Sequence, residues 1–545
     1  MISSRHRILA AFAVAASFAS AHTAQAATYE VGEGQVHTAI GHVPWESLQP
    51  GDVVRIHWRQ TPYKEKWVIA VRGTESAPIT IQGVANASGE RPVIDGRDAT
   101  TRSALNYWNE RRGVIKIGGA NTPATDVAAW IVVEGLDIRS GRSPYSFTGR
   151  DGSDTYADNA AALYIEAGEN IVLRNNVFRD SGNGLFIGAS DGATKNITVA
   201  QNYIYDNGIN DSIYQHNSYT AAIDIVFEAN RYGPLRTGCL GNNLKDRSAG
   251  LVVRYNWIES GNRQLDLVDA EDSPVLVSHP RYNETFVYGN VLVEREGDGN
   301  SQMVHYGGDS GTESDYRKGT LYFYNNTLLS TRSGNTTLVR LSSNGESADI
   351  RNNIVHTTAG GGRLGLITST GTATVTHNCL PDGYKASHES SPGTVNDDAT
   401  SVDSTTPGFM DMQAGDLRLG SGSPCIDGAG AQAPATLAAH GVARQYISHQ
   451  RSEPRVADGP LDLGAIEHCA GSCTPPDPDA GTTGDADGGP GADGGAAGDG
   501  GTTSGDGESG GCGCSGQNSG GSSGWLVLVL VVAAGIGRRS RPTPC

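Results

Sequence analysis

Between positions 241 and 272 the chain reads GNNLKDRSAGLVVRYNWIESGNRQLDLVDAED, the densest gathering of chemically able side chains in its 545 residues. Lys245 and Arg247 lie two residues apart, Arg254 follows, and Asp266, Asp269, Glu271 and Asp272 form an acidic run. Such a set suits proton abstraction beside a carboxylate, in which one group removes the proton while a cation neutralises the charge that develops. A lysine acting as that base must be neutral, which requires a depressed pKa, and an arginine would need an unusual setting. The oxygens of Asp266, Asp269 and Glu271 are the hard ligands that calcium prefers, although the same run also reads as a solvated loop. Upstream, Tyr214-Gln-His216-Asn217-Ser-Tyr219 interleaves a titratable ring with aromatic platforms on which sugars pack. His216 reads equally as a turn residue whose hydrogen bonds are satisfied. The candidate catalytic residues are therefore Lys245, Arg247 and His216. Asn217, Tyr219, Asn243 and Arg254 are candidates for holding substrate, and Asp266, Asp269 and Glu271 for holding calcium. A second arrangement pairs Asp266 with Asp246 or Asp269 for inverting hydrolysis, which needs carboxyl groups roughly 6.5–9.5 Å apart.

The scaffold that must position these groups is a repeat. Short runs of β-forming residues end in an Asn followed by an apolar or β-branched residue or Arg: IVLRNNVF (Asn176), ITVAQNYIY (Asn202), IVFEANRY (Asn230), LVVRYNWIE (Asn256), TFVYGNVLV (Asn290), LYFYNNTLL (Asn326), ADIRNNIV (Asn353) and ATVTHNCL (Asn378). Neighbouring Asn residues are 25 to 36 positions apart, mostly 26 to 28, a period of stacked supersecondary units and not of separate globular domains. The runs are too short and too β-branched for helices. Each period is therefore one coil of short strands, paired in parallel with the next coil at about 4.8 Å. The fold class this implies is all-β, a single-stranded right-handed parallel β-helix. Its repeated Asn residues form a hydrogen-bonded column that is structural.

The two ends carry delivery signals. Residues 1–26 have the charged start (Arg5, Arg7), apolar stretch and Ala24-Gln25-Ala26 cleavage pattern of a secretory signal peptide. Residues 27–470 form the β-helix. Residues 471–511 are Gly-, Ala-, Thr- and Asp-rich with no Lys or Arg, so they read as a disordered acidic stalk. Residues 512–545 hold Cys512 and Cys514, an apolar segment from Trp525 to Gly537 and an arginine cluster, read as a short apolar helix and membrane anchor. Thirteen apolar residues reach only about 20 Å, short of the ~30 Å hydrocarbon core. Among the cysteines, Cys469 and Cys473 are the nearest local disulfide pair, and no second ligand cluster supports zinc. The net charge of −18 disfavours a polyanionic partner, but at least eight acids lie in the stalk, which leaves Arg231, Arg236, Lys245, Arg247 and Arg254 as a local basic patch. Nothing in the sequence points to nucleic acid, a nucleotide or a redox cofactor.

Several stretches resemble known families. Leu48-Gln-Pro-Gly-Asp52 running into VVRIHW, and APITIQG with RPVIDG between Ala77 and Gly96, resemble the first coils of secreted pectate-lyase-like β-helices, which open with a short helix closing the stack. Ser423-Pro-Cys-Ile-Asp427-Gly and Leu461-Asp-Leu-Gly-Ala-Ile-Glu467 resemble the closing motifs of exported β-helix proteins. The central stretch is similar to the chondroitinase B and alginate lyase group, in which a Lys acts as base and an Arg on the next coil assists. By that resemblance Lys245 is the base; the Arg position falls at Leu267-Val268-Asp269 and the calcium-binding Glu pair among Gly238 to Leu240, so Arg247 or Arg254 would substitute. The last 35 or so residues resemble a myxobacterial sorting tail, with Cys512 or Cys514 processed. Together these imply a secreted, surface-anchored monomer acting on acidic extracellular polysaccharide, as a lyase working by β-elimination. A non-catalytic glycan-binding adhesin and an inverting hydrolase are the alternatives.

Overall fold

Residues that alternate inward and outward along short extended runs can bury one side only by stacking coil upon coil. A computed structural model describes residues 26–468 and shows that arrangement as a parallel β-helix. Two thirteen-stranded sheets and one eleven-stranded sheet run the length of the stack, and nearly all pairings within them are parallel. One coil serves as the pattern: Gly168–Arg174 lies in the first sheet, Val177–Arg179 in the second and Asn183–Ile187 in the third. Crossovers of this kind are right-handed. Inward positions such as Leu163, Leu185, Leu265 and Val304 belong to one continuous core that extends from Val31 to Leu380.

The corner between the first and second sheets explains the repeated Asn. The residue before each one has positive φ: Asn175, Gln201, Ala229, Tyr255, Gly289, Asn325, Asn352 and His377 lie between 48° and 65°. That left-handed residue costs roughly 1 kcal/mol when it is not glycine, and the Asn behind it supplies the compensation. Asn202 Oδ1 accepts from the Asn176 backbone N–H at 2.9 Å, and Asn202 Nδ2 donates to the Leu173 carbonyl at 2.9 Å. The same exchange recurs through Asn230, Asn256, Asn290, Asn326, Asn353 and Asn378, all fully buried or nearly so.

Successive ladder residues are separated by 34 positions from Asn256 to Asn290 and by 36 from Asn290 to Asn326. The extra chain in these coils forms loops at residues 268–283, 295–301 and 307–318, at the ends of the third sheet.

The opening helix expected from the resemblance is a 3-10 turn, Ile40–His42. Trp45 behind it donates from Nε1 to the Ile40 carbonyl and stacks on Trp67 at 5.1 Å, covering the start of the third sheet's inner column. At the far end the chain leaves the stack after Val402–Asp403 and folds back along its outside. There Leu417, Tyr446 and Ala465 cover Trp257, Val291, Val293 and Leu329 of the second sheet. The two closing motifs meet: Asp427 N–H donates to Asp462 Oδ1 at 2.7 Å, and Arg455 pairs with Glu467 at 2.6 Å. A Cys379–Cys425 disulfide ties this wrap to the last coils. The proposed Cys469–Cys473 pair, the stalk, the tail and all but the last residue of the leader lie outside the described residues.

Candidate functional site

The outward face of the third sheet holds the chemistry. Its register aligns Lys116, Tyr164, Phe186, Tyr219, Lys245, Asp266, His305 and Arg340 in one column, one residue per coil. Steps of about 4.8 Å make this a continuous wall, with three aromatic rings after Lys116 and then four polar, titratable or charged side chains. Inward neighbours such as Leu244, Leu265 and Leu267 are fully buried and lock each strand.

Lys245 and Arg247, expected as catalytic cations, do stand together. Asp309, from the loop after the strand Gln302–Tyr306, reaches back over them: one carboxylate oxygen contacts Lys245 Nζ and the other lies 3.1 Å from Arg247 Nη2. Lys245 also lies 3.2 Å from Asp266, and Arg247 lies 3.0 Å from Glu271. Burial by itself lowers the Lys245 pKa, but Asp266 and Asp309 outweigh it and the net shift is upward. The amine is thus held as an ammonium ion. For Asp309, burial pulls upward while Lys245 and Arg247 carry the carboxyl below its ordinary range. Arg247 Nε donates to the Tyr219 phenol oxygen at 2.9 Å, leaving the phenol's own proton free for another acceptor.

The two buried histidines differ in proton placement. His216 Nδ1 accepts from the Asn242 backbone N–H at 2.9 Å, so a neutral ring carries its proton on Nε2. Burial, followed by Lys245, pushes its pKa down to about 3. His216 is neutral and lacks a free basic nitrogen toward the wall, which corrects its reading as a base. His305 Nδ1 lies 2.8 Å from Asp266 Oδ1 and its Nε2 lies 2.8 Å from Ser342 Oγ.

Several expected site residues lie elsewhere. Arg254 belongs to the first sheet, where it pairs with Glu228 and Tyr288, on a different face of the coil from Lys245. Asn217 and Asn243 are fully buried and form a second Asn column, Asn217 Nδ2 donating to Asn243 Oδ1 at 2.7 Å. Asp246 points inward, pairs with the fully buried Arg317 at 3.3 Å and accepts from Thr220 and Ser248, which removes it from any hydrolytic pair. Through Arg317 it roots the loop that carries Asp309.

The calcium set does not fit one ion. Asp266 is engaged by Asn242, Lys245 and His305; Asp269 is buried and accepts the Asp309 and Ser310 amides; Glu271 pairs with Arg247. Among the described residues no group of three or more His, Cys, Asp or Glu side chains converges as a metal cage. A cavity of about 560 Å³ lies on the first sheet instead, floored by Val132, Val172, Val226 and Val252 and edged by the Asp224–Arg281 pair, remote from the wall.

Asp309, His305, Ser342 and Asn242 were not singled out from the sequence. For Asp309 the signal was the lengthened interval between Asn290 and Asn326, whose surplus residues carry it to the wall; Ser342 and Asn242 lie in intervals of ordinary length that carry no such mark.

Stacked parallel strands with an internal Asn ladder and an outward polar wall define a parallel β-helix protein. Its architecture is similar to that of the pectate lyase Pel9A, at 12% identity over 82% of this chain and 97% of that one, with a TM-score of 0.46. It is similar as well to an alginate lyase from Paenibacillus sp. str. FPU-7, at 11% identity over 68% of this chain and 99% of that one, TM-score 0.40. A GH136 lacto-N-biosidase from Eubacterium ramulus gives 12% identity, 68% of each chain and a TM-score of 0.30. Scores of this size assign no role to any residue. No family model matches the sequence, and neither does any curated protein.

Proposed function

We propose that this chain is an exported β-helix protein that binds a uronate-bearing polysaccharide along the third sheet and cleaves it by β-elimination. The observation that carries the reading is the Asp309 carboxylate seated between Lys245 and Arg247. It marks the place where this wall binds a carboxylate, and a uronate has the same group. In that seat Lys245 and Arg247 act as neutralising cations, a revision of the expectation that Lys245 is the base, because its acidic neighbours hold it protonated.

In β-elimination the C5 proton is removed, its electron pair forms the C4=C5 bond, and O4 leaves with a proton. Tyr219 is placed for both transfers. Its oxygen accepts from Arg247, which supports the phenolate that takes the C5 proton, and the phenol so formed can return it to O4. Phe186, one coil away and only partly buried, extends the aromatic surface toward a neighbouring sugar ring, with Arg112 over its face; Tyr164, one coil further, is buried. The leader and tail expected from the sequence support an export route ending at the cell surface.

A second reading, a glycan-binding module without catalysis, is favoured by the saturation of both cations with acidic partners. Ultraviolet absorbance of the conjugated unsaturated uronate separates the two when the protein is incubated with a panel of uronate polymers, with and without calcium. A rise that disappears in Lys245→Ala and Tyr219→Phe supports the lyase. No rise with retained binding supports the module.

A further inference from the structure

Beside the carboxylate seat, the wall holds a hydrogen-bonded chain that β-elimination does not use. We infer that Asp266, His305 and Ser342 form a nucleophilic relay that hydrolyses O-acyl esters on the bound glycan. Asp266 Oδ1 lies 2.8 Å from His305 Nδ1, and His305 Nε2 lies 2.8 Å from Ser342 Oγ. The three residues come from three successive coils: register sets Asp266 beside His305, and Ser342 follows directly after the strand Thr336–Leu341, two residues past His305's register partner Arg340.

Proton placement follows from the partners. Burial would raise the Asp266 pKa, but Lys245 and His305 carry it far below the carboxylate range, so it is ionised and only accepts. Nδ1 of His305 therefore bears the hydrogen. Burial outweighs Asp266 and lowers the His305 pKa, so the ring is neutral near pH 7 and Nε2 is a free acceptor for the Ser342 hydroxyl proton. This is the base-and-orienter geometry that activates a serine. Asp266 is held in turn by Asn242 Nδ2 at 2.7 Å.

Space and access are provided for. Gly307, at φ +129°, lies against Ser342; a Cβ there would come within 2.7 Å of both Ser342 Cβ and Oγ. Ser342 is itself only half-buried, and exposed Arg340, next to His305 in register, is placed to donate to a developing oxyanion. The Gly308 N–H donates to Ser342 Oγ at 2.8 Å, and the hydroxyl has the Gly308 carbonyl at 2.9 Å and the Tyr306 carbonyl at 3.3 Å as acceptors alternative to His305.

In the reaction Ser342 Oγ attacks the acyl carbonyl carbon as its proton passes to His305 Nε2. The tetrahedral adduct expels the sugar oxygen, which takes that proton. Water, deprotonated by the same nitrogen, then attacks the acyl-serine; the carboxylic acid departs and the proton returns to Ser342. That the acyl group sits on a glycan rests on the proposed function above; the acyl-transfer chemistry does not.

The test treats the full chain with diisopropyl fluorophosphate and maps the adduct by mass spectrometry. The expected result is one phosphoryl group on Ser342, absent in Ser342→Ala. The labelling rate should rise with pH through a single titration centred below the ordinary imidazole value of about 6.5. Acetate release from an O-acetylated uronate polymer should fall by about 10³-fold or more in Ser342→Ala, a protein whose unchanged circular dichroism confirms folding. Absence of an adduct on Ser342, or acetate release unchanged in Ser342→Ala, overturns the relay. Organophosphate labelling needs no polymer, so it succeeds or fails independently of the β-elimination reading.

Discussion

At Lys245 two opposing effects decide what the amine can do. Desolvation favours the neutral form and Asp266 with Asp309 favours the charged one; the carboxylates win, so the side chain neutralises and does not abstract. Asp309 competes for the seat that a uronate needs. Asp309→Asn should therefore tighten uronate binding severalfold, measured by calorimetry, because less of the free protein has its seat filled. Tyr219→Phe should lower kcat by roughly 10²–10⁴-fold with little change in fold. Glu294 offers a prediction independent of the wall. Burial pushes its pKa up to about 7, while Ser330 and Thr336 donate to one oxygen at 2.6 Å. An acid whose folded pKa is raised binds its proton more tightly when folded, so stability falls as pH rises from about 4.5 to 7 and stays lower above. Glu294→Gln should remove that slope and, at pH 8, gain on the order of 2–4 kcal/mol in denaturant unfolding. The sequence exposed Lys245, Arg247 and Asp266 as a cluster because they lie close together in the chain. Their roles were not legible, since they depend on Asp309, 64 residues beyond Lys245, and on His305, 39 beyond Asp266.

Among the elements, the Asn corner is the part most completely readable from the chain. Eight Asn residues at a near-constant period announced a coil, and every one lies in the ladder. Asn256→Ala would orphan the Asn230 N–H and the Phe227 carbonyl inside the stack. With each unsatisfied buried group costing about 1–3 kcal/mol, thermal unfolding should show a loss of roughly 2–6 kcal/mol. The same reasoning recasts Asn217 and Asn243, which share the 26-residue spacing but stand out of phase with the ladder, at the start of a strand and not behind one. Their substitution should lower stability, not simply weaken glycan binding. The facing of Asp246 was also hidden: a polar residue on a strand reads as outward until a buried partner such as Arg317, 71 residues on, is known. Where the period stretched, the surplus chain went to loops at the wall, so the irregular interval carried the functional information.

At the scale of the whole molecule, the stack and its C-terminal wrap are held by different means. The coils share one core, whereas the wrap is held to the outside of the stack by small apolar clusters, by hydrogen bonds such as Tyr324 Oη to the His440 carbonyl and Gly430 N–H to Asn352 Oδ1, and by Cys379–Cys425. A bridge across 46 residues is worth about 4 kcal/mol by chain entropy. Reduction should therefore expose residues 404–468 to limited proteolysis before the coils are cut, with the fragments identified by mass spectrometry. The two closing motifs, read by their resemblance to exported β-helix proteins, carry no sign that the ending doubles back along the second sheet. That path is set by the apolar outer faces of Trp257, Val291 and Val293, residues that read as ordinary strand in the chain. The central claim, that the outer wall of the third sheet recognises a carboxylate between Lys245 and Arg247, is tested most directly by titrating the protein with a uronate oligosaccharide and with its carboxyl-reduced counterpart. The account predicts binding that weakens by about tenfold or more, roughly 1.4 kcal/mol, when the carboxylates are reduced. Equal affinity for the two would contradict it.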